Sequence, residues 1–234
     1  MPRTRLLLAA FVTVTVANLA ANATDTALAE AITKPLLMPL LAGYLWLAAL
    51  DRGHRPSRLV LAALAFSTGG DVALLADGTG WFLTGMALFL GAHLCYIAAF
   101  ARHRAAATLR RPPLLGVASG YALLTAAALT WMWPGLTDAG LAVPVAAYAL
   151  ALATMATTAA PHGWRVGLGG ALFLLSDLLI ATGVAGVLDP PRAPVLVMAT
   201  YAAGQALIVT GFAARPTTPA APPFTPAAAP AAPR

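Results

Sequence analysis

Eight times in 234 residues the chain runs for 18 to 23 positions with almost nothing charged in it. A helix needs about 20 such residues to cross the hydrocarbon of a bilayer, and no soluble fold needs so many in succession. The runs are 6–23, 33–50, 59–76, 81–101, 113–133, 141–160, 166–188 and 193–213. Charged or Pro/Gly-bearing breaks separate them. Only 9% of residues are charged and the mean hydropathy is +0.79, against roughly 25% charged in soluble domains. The predicted fold is therefore all-α, an integral membrane bundle of about eight transmembrane helices. The second run is short and carries Pro35 and Pro39, which predicts a kink or an earlier start near Ala27.

Positive charge orients the bundle, because Lys and Arg near helix ends resist translocation. With the N-terminus cytoplasmic, twelve of the fourteen basic residues fall on the cytoplasmic side and only Lys34 and Arg192 on the other. Asp25, Glu30, Asp77, Asp138 and Asp189 fall opposite the arginines, so an even helix count with both termini cytoplasmic is expected. The chain would then be a multi-pass protein of the cell membrane, the bacterial inner membrane being the natural setting. The +6 net charge is thereby explained by topology. No basic patch is interleaved with aromatics, so a nucleic-acid partner is not expected.

The first run ends in Ala21-Asn22-Ala23, a small-residue pattern that also suits signal-peptide cleavage. The eight-helix layout already satisfies the charge rule, and the first run is long enough to span, so it is kept as a helix. From Arg215 onward the sequence is Pro, Ala and Thr with almost no large apolar residue. This divides the chain into a bundle domain, 1–213, and a disordered tail, 214–234. The single cysteine, Cys95, leaves no internal disulfide and is expected only to pack.

Within this apolar frame Asp71 and Asp177 stand out. An ionised carboxylate inside a bilayer costs on the order of 3 kcal/mol even on insertion scales, and such acids usually mark a reaction site, a proton path or a bound ion. Asp71 lies thirteen residues beyond Arg58 and Asp177 twelve beyond Arg165, about 18–20 Å along each helix at 1.5 Å per residue. The two acids are predicted to be level. They sit on the third and seventh runs, which correspond under a 4+4 division, a weak hint of internal duplication. The structural alternative is that hydroxyls such as Ser67 and Ser176 simply satisfy each acid locally.

Other polar residues gather at compatible depth. His93 and Tyr96 are three apart and share a helix face with Gly85 and Phe89, a stripe suited to lining a cavity. His93 suits two roles equally, a neutral packing imidazole or a partner that orients one aspartate. Tyr148, Tyr201 and Gln205 could add donors to the same interior, although each is also an ordinary interhelical polar residue. Asn18, Asn22 and Asp25 form a stripe read as interhelical glue. Lys34, the only lysine, is expected at the outer membrane surface near Glu30, either snorkelling or meeting an anionic headgroup or a salt-bridge partner.

Several chemistries lack their residues. Without a lysine in a late helix there is no site for a retinal Schiff base. His54 and His103 fall in loops and His162 at a helix end, leaving one intramembrane histidine where a catalytic zinc wants about three ligands. No metal or other cofactor is expected. Ser67, Ser119 and Ser176 lack a Gly-x-Ser-x-Gly setting. Carboxylate chemistry remains.

Five segments, Thr33-Lys34-Pro35-Leu36-Leu37-Met38, Gly70-Asp71-Val72-Ala73-Leu74, Phe89-Leu90-Gly91-Ala92-His93-Leu94-Cys95-Tyr96, Gly170-Ala171-Leu172-Phe173-Leu174-Leu175-Ser176-Asp177 and Tyr201-Ala202-Ala203-Gly204-Gln205, occur in this order. Together they resemble the YhhN family of eight-helix membrane proteins, which includes the lysoplasmalogenases. The resemblance covers the chain from the second run through the eighth. It implies hydrolysis of the vinyl ether bond of a lysoplasmalogen to a fatty aldehyde and a glycerophospho-ethanolamine or -choline, with Asp71 and Asp177 matching the family's essential acids. A lysophospholipid entering from the bilayer is the implied partner, with Lys34, His93, Tyr96, Tyr148, Ser176, Tyr201 and Gln205 as binding or supporting residues. Paired carboxylates fit that reaction on chemical grounds, one as proton donor and the other as the charge facing an oxocarbenium ion. A proton- or cation-coupled transporter and a non-catalytic lipid-binding protein are the other classes that intramembrane acids admit.

Overall fold

A computed structural model describes residues 3–102 and 112–214. Among these residues there are eight α-helices and no strand: α1 (Arg3–Ala23), α2 (Ala27–Leu50), α3 (Arg58–Ala73), α4 (Thr79–Arg102), α5 (Pro112–Asp138), α6 (Ala142–Ala159), α7 (Trp164–Val184) and α8 (Ala193–Ala213). A single 3₁₀ turn, Ala160–His162, follows α6. His103 and the Pro/Ala-rich stretch 215–234, predicted to lie outside the bundle, fall outside the described residues.

Seven of the eight helices are long and apolar enough to cross a membrane. The exception is α3. Its 16 residues measure about 24 Å, short of the roughly 30 Å of hydrocarbon. The run 59–76 predicts three more residues, but after Ala73 the chain tightens into i to i+3 turns, Leu75 N–H to Val72 O and Ala76 N–H to Ala73 O. Asp71 consequently sits in the last turn of α3 instead of mid-helix. α2 starts at Ala27, the earlier of its two expected positions, and stays helical through Pro35 and Pro39. α5 continues past the expected end at 133, through Pro134, to Asp138.

Exposed tryptophans mark both rims. Trp81, Trp131 and Trp133 lie near one end of the helix series, Trp46 and Trp164 near the other, and all are exposed. That is the placement of amphipathic rings at two membrane interfaces. Loops holding Asp25, Asp77, Asp138 and Asp189 fall at the first end, and Arg52, Arg55, Arg58 and Arg165 at the second.

Small residues decide which helices touch. A Cβ on Gly169 of α7 would lie 2.7 Å from Gly204 O of α8, and one on Gly204 would lie 2.9 Å from Gly169 O. These two backbones are in direct contact, a separation that only glycine permits. On the α3–α4 hairpin a Cβ at Gly70 would run into the Phe89 ring at 2.6 Å. The helices contact in the order α1, α2, α3, α4, α6, α7, α8 and back to α1, so seven form a closed ring. α5 lies outside it, against α6 and α7. Between α1 and α2, Asn18 donates to Thr33 Oγ1 at 2.9 Å, the interhelical role expected of it. Asn22 donates back to Asn18 O within its own helix, and Asp25 is exposed in the following turn, so the stripe does not act as one unit. Cys95 is partly buried and packs against the main core.

Candidate active site

The ring encloses a cavity. Lys34 of α2, Asp71 of α3, Tyr148 of α6, Ser176 and Asp177 of α7, and Tyr201 of α8 supply its polar wall. The remainder is apolar, from Phe82, Met86 and Phe89 on α4 to Ile180 and Val184 on α7 and Met198 on α8. Six residues singled out from the sequence thus come from five helices to one space.

Each carboxylate is held by a tyrosine. Tyr201 donates its hydroxyl to Asp71 Oδ2 at 2.9 Å. Tyr148 donates to Asp177 Oδ2 in a short hydrogen bond. Ser67 and Ser176 are therefore not the hydrogen-bond partners of the two acids. The phenols come from other helices, Tyr201 of α8 lying 130 positions from Asp71 and Tyr148 of the preceding helix α6 lying 29 positions from Asp177, as a built site requires and a locally satisfied acid does not.

Asp177 has a further neighbour. His93 is fully buried, with Nε2 2.9 Å from the Tyr148 hydroxyl and 3.7 Å from Asp177 Oδ2. Because Tyr148 spends its proton on Asp177, its oxygen accepts from His93, which puts the imidazole proton on Nε2. His93 Nδ1 is then a bare acceptor, and it has no partner among the described residues. A bare acceptor is the less costly group to strand, since orphaned buried N–H groups are rarer than under-used acceptors. The result is a directed chain, His93 to Tyr148 to Asp177.

Asp71 is more deeply enclosed. It is 2% exposed, whereas the Asp177 side chain keeps 12% of its surface open. Both the Lys34 ammonium and Asp177 lie within its electrostatic reach. Lys34 lies near Glu30, as expected. Because α2 begins at Ala27, Lys34 sits two turns inside the helix, buried, with its Nζ 3.2 Å from Glu30 Oε1 and its side chain on the cavity wall.

Tyr96 and Gln205 belong to another layer. Tyr96 donates to Gln205 Oε1 at 2.6 Å, and Gln205 Nε2 donates to Ser67 Oγ at 3.1 Å. All three are buried and none lines the cavity. They lie one helical turn from His93, Tyr201 and Asp71 respectively, so the interior carries two stacked polar layers. Phe173, one turn before Asp177, packs its ring 5.3 Å from Tyr201 and 4.8 Å from His93. Its role was missed in the sequence, although it stands in one of the family-resembling segments quoted above, because a phenylalanine in an apolar helix gives no signal of its own. Phe89 does line the cavity, as its stripe with His93 implies, while Gly85 instead packs against Leu74. Among the described residues no three His, Cys, Asp or Glu side chains converge as metal ligands would.

Comparison with known proteins accords with this arrangement. The chain matches the YhhN family over residues 29–212, which takes in every residue of the site. It is 33% identical over 163 residues to a protein of Mycobacterium tuberculosis (strain CDC 1551 / Oshkosh) named lysoplasmalogenase, covering 68% of this chain and 61% of the other. It is 36% identical over 171 residues to lysoplasmalogenase TMEM86B of Sus scrofa, covering 73% and 70%, and 33% identical over 179 residues to lysoplasmalogenase TMEM86B of Homo sapiens, covering 76% and 73%. The aligned part spans about 61% of the length of the mycobacterial relatives. No solved structure matches the chain. With four fifths of its length matched and its site inside the match, this multi-pass membrane protein belongs to the YhhN family.

Proposed function

We propose that the protein is a membrane hydrolase that cleaves the vinyl ether bond of lysoplasmalogens, releasing a fatty aldehyde and a glycerophospho-headgroup. The observation that carries this reading is the pair Asp71 and Asp177 on one cavity wall, each gripped by a tyrosine. Relatives named lysoplasmalogenase support it.

Hydrolysis of a vinyl ether starts with a proton placed on the β-carbon, which turns the O–CH=CH unit into an oxocarbenium ion. Water then adds to the carbon bonded to oxygen. The resulting hemiacetal collapses to aldehyde and alcohol, and the proton is returned. The reaction needs one proton donor and one negative charge at the same place, and two carboxyls lining one cavity can supply both. The two roles are assigned to the pair and not to either member. The tyrosines hold the carboxyls in position, and the His93–Tyr148 chain gives Asp177 a route along which a proton can be redistributed between steps. Lys34, at the wall beside Asp71, meets the lipid phosphate. Ser176 adds a hydroxyl to the same wall. Tyr96 and Gln205 act beneath the site as the packing layer that fixes Tyr201 and α4. We read both chain ends as cytoplasmic and the protein as resident in the bacterial inner membrane.

The test is to offer purified protein lysoplasmenyl-ethanolamine and its saturated alkyl ether analogue, and to trap free aldehyde. Turnover of the vinyl ether alone is expected. No aldehyde from folded protein, joined to gradient-driven uptake in vesicles, would replace hydrolysis by transport.

A further inference from the structure

A second space reaches the same carboxylate from the opposite side. It lies between α5, α6 and α7, and shares Tyr148, Asp177, Val145 and Ala181 with the first cavity. Apart from Tyr148, Asp177 and Thr125, its walls are Ala, Leu, Met and Val. It continues through Thr125 and Leu129 into an open gap between α5 and α6 that reaches Ala118 and Thr157.

α5 packs most closely at one end. Gly135 abuts the Ala185 carbonyl so closely that an added Cβ would come within 1.9 Å of it. Around that contact Met132 and Leu136 pack with Leu141 and Val145 in a small core of their own. The face of α5 that buries Met132 and Leu136 continues, at helical spacing, through Leu129 and Thr125 to Ala122, and there it is exposed. Small residues line both sides of the gap, Ala118, Ala122 and Ala126 on α5 and Ala153, Thr154 and Thr157 on α6. Such faces ordinarily let helices close on each other. Here they stay apart, leaving an apolar slot open along the bundle.

We propose that this slot holds the single aliphatic chain of the lysolipid whose headgroup occupies the Lys34 cavity, a placement that rests on the hydrolase reading above. Lysolipid polarity changes at the bond to be cut, with glycerol and phosphate on one side and hydrocarbon on the other. The site changes polarity at the same place, with Lys34, Asp71 and Ser176 before Asp177 and aliphatic walls beyond it. The chain runs from Asp177 toward the arginine-bearing end, so the lipid stands with its head at the Lys34 end, as it would in the leaflet away from the arginines. Register follows from the fastened end. Thr125 is ten residues from Gly135 and Asp177 eight from Ala185, so Thr125 lies just past the reacting bond and Ala118 about 10 Å further along.

A photoreactive alkyl ether lysophosphatidylethanolamine with a diazirine at the chain terminus, which cannot be hydrolysed, reads the placement without any turnover. Label is expected on α5 residues 118–126 and α6 residues 153–157. Label on Phe82, Met86, Val184 or Val197, at the other end of the first cavity, overturns the proposal, as does no label. Two fillings then act as rulers. Thr125→Trp is expected to raise KM about tenfold for all but the shortest vinyl ether substrates, and Ala118→Trp only for the longest. An unchanged chain-length profile in both also overturns it. Aldehyde release by the unmodified protein is read separately, so failure of the hydrolase reading and failure of the chain placement give different results.

Discussion

Asp71 and Asp177 look alike in sequence, each a lone acid on an apolar helix, yet the bundle treats them differently. Asp71 ends a short helix, is almost wholly enclosed, takes one phenolic hydrogen bond and faces Lys34. Asp177 lies well inside α7, keeps part of its surface open, and ends a chain of polar groups that begins at His93. It also belongs to both cavities. In the proposed placement one acid looks toward the charged end of the lipid and the other toward its hydrocarbon. The lesson is that a carboxylate's role is set by what reaches it from other helices.

The comparison breaks first at the acids themselves. Asp71→Asn and Asp177→Asn should each lower aldehyde release by about a thousandfold or more, with thermal unfolding in detergent little changed, because the dyad needs both members. If either variant keeps more than a tenth of the activity, the two are not a pair. The tyrosines sharpen the difference. Tyr148→Phe should cost about 10- to 100-fold in kcat, and combining it with His93→Gln should add little, since both serve one carboxylate. Tyr148→Phe with Tyr201→Phe should instead multiply. Lys34→Met should raise KM about tenfold with a smaller change in kcat, the signature of lost ground-state binding. The smallest kinetic effect belongs to the lower layer. Gln205→Leu strands the Tyr96 and Ser67 hydroxyls and should destabilise by about 1–3 kcal/mol, seen as a lower unfolding midpoint, while activity stays within about twofold.

Helix number and most helix positions were legible because span-length apolar runs leave a bilayer protein few options. Boundaries were less so. α3 ends three residues early and α5 runs five residues late, since the residues at both places are apolar in either state and neighbouring helices decide. The polar wall was legible for the same reason that it is costly. A Lys, two Asp and two Tyr in a chain so apolar each need a reason. Their partners were not legible: nothing local pairs Asp71 with Tyr201 across 130 positions, or draws Tyr96 and Gln205 away from the cavity into a layer with Ser67. The slot beside α5 left no trace at all, because Ala and Thr at helical spacing describe a closed helix contact as well as an open one.

The brevity of α3 bears on where the second reactant comes from. A helix about 6 Å shorter than the hydrocarbon makes the bilayer thin or draws the polar surface down to meet its end. Asp71 lies in that last turn, beneath the resulting dimple. In the proposed reaction moisture would arrive from above and grease from the side, so the two supplies would not compete for one doorway.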